Sequence, residues 1–243
     1  MSLRITGATA LRVLRQLRHD PRTLALIVFV PCMLITLLKY VFLDSPVFDR
    51  IGGPLVGLFP LTSMFVVTSI TMLRERTTGT LERLMSMPLS KLDLLLGYAC
   101  AFALVAAAQA GLVSALAFGV LGLDVQGAVW AVICLAVANA LLGMSLGLFV
   151  SAFARTEFQA VQFLPAIILP QILLCGLLAP RDEMAQLLYW ISWAMPVTYA
   201  YGALDLVTKG IYDAELAAYV LVVCAFIAGL LVLGAGTLRR RTA

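Results

Sequence analysis

The chain predicts an all-α polytopic membrane protein with six transmembrane helices, built as one permease domain over 1–243. Three observations carry this. The sequence is 62% hydrophobic and 12% charged, whereas soluble domains run near 45–50% and about 25%. Six charge-poor runs each reach the length of about 20 apolar residues that crosses a bilayer. The basic residues gather on alternate connecting segments, which sets a topology.

The amino-terminal segment, 1–23, predicts an amphipathic helix. On a helical wheel Arg4, Arg12, Arg15, Arg18 and Arg22 share one sector, with Leu3, Ala10, Val13, Leu14 and Leu17 largely opposite and Leu11 as the exception. Two placements fit: along the inner leaflet, with the arginines meeting anionic membrane lipid, or free in water. The spans follow at 24–43, 51–73, 94–121, 128–154, 158–180 and 216–238. The first is longer than the apolar core of a secretory signal, lacks an A-x-A site and follows an Arg-rich segment, so it reads as a span. Lys39, near its end, is long enough to snorkel to the interface.

The run from Met184 to Leu204 is also long enough to cross, but it concentrates Tyr189, Trp190, Trp193, Tyr199 and Tyr201 with Pro196. Such aromatics favour the membrane–water boundary. Charge decides the parity. With six spans, one side holds Arg4, Arg12, Arg15, Arg18, Arg22, Arg74, Arg76, Arg83, Lys91, Arg155, Arg239, Arg240 and Arg241. The other holds only Lys39, Arg50, Arg181 and Lys209, against eight acids. The Arg-rich side is therefore expected to be cytoplasmic, with both termini there. A seventh crossing would put Arg239–Arg241 outside, so 181–204 is expected to be an outer re-entrant or interfacial element.

Two spans carry small residues at four-residue steps: Ala99, Ala103, Ala107, Gly111, Ala115 and Gly119 in the third, and Asn139, Gly143, Gly147 and Ser151 in the fourth. Both are expected to be close packing faces. The five cysteines lie in five different apolar runs with no C-x-x-C pair, so neither a metal site nor a disulfide framework is indicated.

The chemistry readings are mostly exclusions. Gly143–Gly147 matches G-x-S-x-G, but it lies within an apolar helix, and His19, the single histidine, is far along the chain. Packing explains the glycines better than a nucleophile does. No phosphate-binding G-x-x-x-x-G-K-[ST] loop is present, and no nucleic-acid motif or partner is indicated. No Asp or Glu falls deep in a span, which argues against a proton-driven carrier. Thr62, Ser63, Thr68 and Ser69 in the second span, and Gln159, Gln162 and Gln171 in the fifth, have two readings. Singly they suit interhelical hydrogen bonds; together they suit the lining of a path for an amphipathic substrate.

The polar stretch Arg74–Ser90, RERTTGTLERLMSMPLS, separates the second and third spans. Gly79 permits a break and the neighbouring threonines can cap. Leu81, Leu84 and Met85 then form an apolar face beside Glu82, and Pro88 stops the turn. A short two-sided helix at 77–88 results, with a face that must bury either on this protein or on a partner.

This stretch resembles the E-R-E-x-G-T-L-E-x-L-x-x-x-P-[LI]-S signature of ABC type-2 exporter permeases, with Thr77 where an acid often stands. The segment Cys175–Leu204 resembles the family's second motif through Gly176, Pro180, Pro196, Thr198 and Tyr199, with Trp193 between them. Met195 replaces the commoner Asn, and Asp182–Ala185 lacks the usual Pro. The resemblance implies an interfacial elbow helix, a cytoplasmic coupling helix around Thr78, Gly79, Thr80, Leu81, Glu82, Leu84, Met85 and Pro88, and an outer re-entrant helical hairpin between spans five and six. It also implies a second permease chain, as a homo- or heterodimer, and two ATP-binding-cassette ATPase subunits that hold the ATP and Mg. No cofactor and no metal is expected in this chain, which would not itself be an enzyme. A bacterial plasma membrane is the expected location. A stand-alone secondary transporter or channel is the alternative.

Overall fold

The computed structural model describes residues 3–43, 45–80, 83–84 and 91–237. Leu81, Glu82, Met85 and Pro88 of the expected coupling helix, Ser90 at the end of the polar stretch and Arg239–Arg241 lie outside them. Among the described residues the chain is all-helical, with no strand.

Helix α1 covers Leu3–Arg18. Helix α2, Pro21–Val41, begins with Pro21 in its first turn, and Asp20 caps it by accepting the Thr23 N–H at 3.2 Å. Helix α3 covers Val47–Thr77 and extends past the expected span at both ends. Helix α4 is α-helical over Lys91–Ser114 and continues as a π-helix over Ala115–Val120. Helix α5 is Val129–Val150. Helix α6, Glu157–Leu174, carries a π-helical stretch at Leu164–Ile168, where Pro165 has no N–H to continue the regular ladder. Helices α7, Gln186–Trp193, and α8, Pro196–Thr208, precede α9, Ala214–Thr237. Among the described residues, six helices, α2 to α6 and α9, are long and apolar enough to cross a membrane.

The centre of the bundle is the α3–α5 pair, which runs parallel. A Cβ on Gly143 would sit 2.0 Å from the Leu61 carbonyl oxygen, and one on Gly147 2.4 Å from that of Phe65. Each four-residue step on α5 thus meets a four-residue step on α3, with backbone against backbone. Helix α8 seats against the first half of α3 through a side chain instead: a Cβ on Gly57 would meet Leu204 Cδ2 at 2.3 Å. The outward faces of α2, α6 and α9 expose Phe29, Leu37, Phe158, Leu173, Leu221 and Val232, as helices meeting hydrocarbon should.

Two expectations are corrected here. The four-residue stripe of α4 is not a packing face within this chain: Ala107, Ala115 and Gly119 are exposed, and nothing lies within 4 Å of a Cβ on Gly111 or Gly119. Helix α4 turns inward instead through Leu94, Leu95, Tyr98, Phe102, Gln109 and Val113. These bulkier side chains bury more apolar area than an alanine stripe. Helix α6 stops at Leu174, short of 180, and two residues on Gly176 takes a left-handed φ of 103° that ordinary residues avoid.

Candidate functional site at the end of α3

The C-terminus of α3 is closed by its own hydroxyls. The last carbonyls of a helix lack intrahelical donors. Here the Thr78 N–H and hydroxyl both donate to the Arg74 carbonyl, at 2.9 and 2.8 Å, and Thr77 Oγ1 donates to Leu73 at 3.1 Å. Gly79 follows at φ 71°, the left-handed residue that ends a helix. The chain then turns helical again, with the Arg83 N–H donating to Gly79 O at 3.2 Å and the Thr78 and Thr80 hydroxyls 3.0 Å apart. Leu84 is half-buried against the cluster that includes Leu14, Leu17, Met72 and Tyr98. Of the two burial partners open to this apolar face, Leu84 takes the protein's own surface.

Two ionic anchors hold this end. Glu75, in the polar stretch that follows the second span, is only 5% exposed. Arg12 of α1 donates to it at 2.8 Å and also to the Tyr98 hydroxyl at 2.8 Å, and Tyr98 donates in turn to Glu75. Arg12 therefore leaves the sector of arginines assigned to lipid and turns into the protein. Burial lowers the Arg12 pKa, but the hydrogen bonds and charge interactions with Glu75 and Tyr98 outweigh it, so the guanidinium is held above its ordinary value. The second anchor is a two-pronged pair: Arg74 Nε and Nη2 reach the Glu157 carboxylate of α6 at 2.7 and 2.8 Å, with Asp20 at 3.9 Å. The end of α3 is thus tied to α1, α4 and α6.

Beside these anchors lies a cavity of about 600 Å³ between α1, α2 and α3, with Phe102 of α4 and Leu164 of α6 closing it. That volume suits a drug-sized ligand. Its walls mix Ile27, Val30, Val66 and Ile70 with the hydroxyls of Thr62, Ser63, Thr71 and Thr78. Of the residues considered for a substrate path, Thr62 and Ser63 line this cavity. Thr68 and Ser69 are buried outside its lining. Gln159 caps α6, accepting the Arg155 N–H at 2.9 Å while Thr156 accepts the Gln159 N–H at 3.2 Å. Gln162 is exposed. Gln171 accepts the Val197 N–H at 3.4 Å and donates to Ile167 O at 3.0 Å, joining α6 to α8. The seven residues are therefore not brought together.

Gln109, which the sequence reading did not single out, is buried behind the cavity wall and bonds two residues that line it, Ile27 and Ser63. Pro31 inside α2 has no N–H, which leaves the carbonyl four residues earlier, Ile27 O, without its helical donor. Gln109 Nε2 supplies that bond at 2.8 Å and also donates to Ser63 Oγ at 3.0 Å. One buried amide thus repairs the α2 proline break and orients a cavity hydroxyl on α3. The signal was available: a lone Gln in an apolar span needs a partner, and Pro31 creates one at a fixed offset.

The residues of the second motif do come together, at the opposite end of α3. The last carbonyls of α7, which lack helical donors, accept from α8 hydroxyls: Thr198 Oγ1 donates to Ser192 O at 2.7 Å and Tyr199 Oη to Trp193 O at 2.6 Å. Pro196 opens α8 in the position that tolerates it. Pro180 is exposed and precedes a single 3₁₀ turn, Arg181–Glu183.

Residues 6–207 match the model of the ABC-2 type transporter membrane family. The chain is 29% identical over 164 residues to the probable multidrug ABC transporter permease YbhR of Escherichia coli (strain K12), which covers 67% of this chain and 44% of that protein. It is 30% identical over 151 residues to the inner membrane transport permease YhhJ of the same strain, covering 61% and 40%. It is also 25% identical over 169 residues to ABC transporter G family member 20 of Dictyostelium discoideum, covering 69% and 23%. The chain spans less than half the length of these relatives.

Proposed function

This chain belongs to the ABC-2 type transporter family, as a non-catalytic, multi-pass transmembrane subunit, and from that premise we propose that it moves a hydrophobic or amphipathic substrate outward, energised by a separate ATPase. The observation that carries this reading is the anchored terminus of α3. A force applied at Thr78–Leu84 meets no slack, because Glu75 and Arg74 bind α1, α4 and α6 within one helical turn. Residues 77–88 act as the coupling helix. Leu84 seats that helix on the permease, while Glu82 offers charge to a basic partner. ATP and Mg bind in two ATP-binding-cassette subunits, and a second permease chain completes the exporter. Helix α1 serves as the elbow in the inner leaflet, α7 and α8 as the outer re-entrant hairpin, and both termini are cytoplasmic in a bacterial inner membrane.

The cavity beside the coupling segment receives the cargo. Its walls are mainly apolar with neutral hydroxyls, and Asp20, Arg74 and Glu75 line it beside the anchors, which suits drugs or amphipathic, lipid-like molecules and agrees with its similarity to the probable multidrug permease YbhR. Co-expression with ATP-binding-cassette ATPases from the same organism tests the reading. The two are expected to co-purify as a complex with ATP-dependent export in proteoliposomes. Ion-gradient-driven flux by this chain alone would overturn the proposal.

A further inference from the structure

At the end of α3 away from the coupling segment, a smaller hollow of about 270 Å³ opens between α3, the α6–α7 link, α8 and α9. Its charged lining is Arg50, Arg181, Lys209, Asp205 and Glu215. Both acids are engaged: Lys209 Nζ meets Asp205 at 2.6 Å, and the Tyr219 hydroxyl donates to Glu215 at 2.5 Å. Among the described residues, no carboxylate lies within the 4.0 Å of an ion pair from either Arg50 or Arg181. The hollow thus carries three cations against two acids, and neither of its guanidiniums is in ion-pair contact with a carboxylate.

Arg181 is held there by construction. Its guanidinium lies flat against Trp193, 4.3 Å from the ring centroid. Its stem crosses Gly176, where a Cβ would stand 3.3 Å from Arg181 Cγ. Gly202 makes the matching space for the Tyr219 ring, which a Cβ there would approach to 2.7 Å. Yet Arg181 Nη1 is shut off from solvent and has no acceptor. A buried charged donor left unmade is costly, and native structures rarely keep one without an ion or water to complete it.

We propose that this hollow binds an oxyanion, a phosphate or carboxylate group, with Arg181 as its fixed fork and Arg50 as the second cation. A planar guanidinium presents paired N–H groups that match two oxygens of such a group. A stacked, immobilised Arg loses less side-chain freedom on binding than a mobile one. Lys209, already paired, is not required.

Two arms separate the sources of that group. In one, the purified protein in neutral detergent is titrated with inorganic phosphate. In the other, it is placed in nanodiscs of phosphatidylcholine with or without phosphatidylglycerol, and retained lipid is read by native mass spectrometry. Melting temperature is followed in both, since a ligand of the folded state raises it by mass action. A rise with phosphate that Arg181→Gln abolishes supports a soluble anion. At least about tenfold preferential retention of phosphatidylglycerol, lost in Arg181→Gln, supports a lipid headgroup; about tenfold is near the lower end of the gain from one hydrogen bond to a charged group. Because Arg181→Gln also removes a contact to Trp193, Arg50→Gln is the second variant: it sits on an exposed side chain and is expected to weaken the anion response while leaving the anion-free melting temperature unchanged. Anion responses identical in the wild type and both variants, or absent from all three, would overturn the site.

Discussion

A Gly143→Val variant is expected not to accumulate as a folded membrane protein. The clash is with backbone: a Cβ at this position falls 2.0 Å from Leu61 O, 2.8 Å from its carbonyl carbon and 3.0 Å from its Cα. No rotamer relieves it, so α3 and α5 must separate. They form the centre of the bundle, and their separation also opens the contacts around Phe65 and Gly147. The cost is expected to exceed about 4 kcal/mol, in the range kept for severe core disruption. Gly111→Val is the matched control. It adds the same side chain to a span, but nothing lies within 4 Å, and a change within about 0.5 kcal/mol is expected. Membrane yield and melting temperature in detergent read both. A Gly143→Val protein that matches the wild type would show that the α3–α5 contact is not formed as described.

Arg12→Met is expected to destabilise the fold by about 3 kcal/mol, the lower end of the range for breaking a buried ion pair. The lower end applies because 27% of the Arg12 side chain still reaches solvent, whereas Glu75 keeps only 6%. Most of the loss comes from leaving the Glu75 carboxylate buried with Tyr98 as its remaining described donor. Removing the second charge as well, in Arg12→Met with Glu75→Gln, is expected to recover most of it. Additive losses in the two single variants and the double variant would mean that the pair is not coupled.

Charge-free length made the six spans legible, because the bilayer imposes that length on any crossing helix. The break at Gly79 was legible too, since a glycine flanked by threonines after an Arg-rich helix end is a local signal. The anchors were not. Arg12 and Glu75 are 63 residues apart, and Glu75 and Tyr98 are 23 apart. A helical wheel places Arg12 with its neighbours because it sees one helix at a time. The two small-residue stripes make the same point in reverse. They share one spacing, but only that of α5 meets another backbone, since α4 turns on Tyr98 and Phe102 instead. Periodicity identifies a face; the partner's shape decides whether it is used. The sequence left two readings open for the polar residues of the fifth span for a related reason. Gln159 and Gln171 serve helix ends and joints, roles set by neighbours that a list of polar residues does not contain.

The account stands on force entering this chain through residues 77–88. The most direct measurement reads ATP hydrolysis and export together, in proteoliposomes holding this chain and its ATPase partner, with a fluorescent hydrophobic dye as cargo. Glu82→Ala and Leu84→Ala are expected to keep hydrolysis within about twofold of the wild type and to lose export by at least about tenfold, the ratio that about 1.4 kcal/mol of lost coupling gives. Normal export by both variants would contradict the coupling role of this segment.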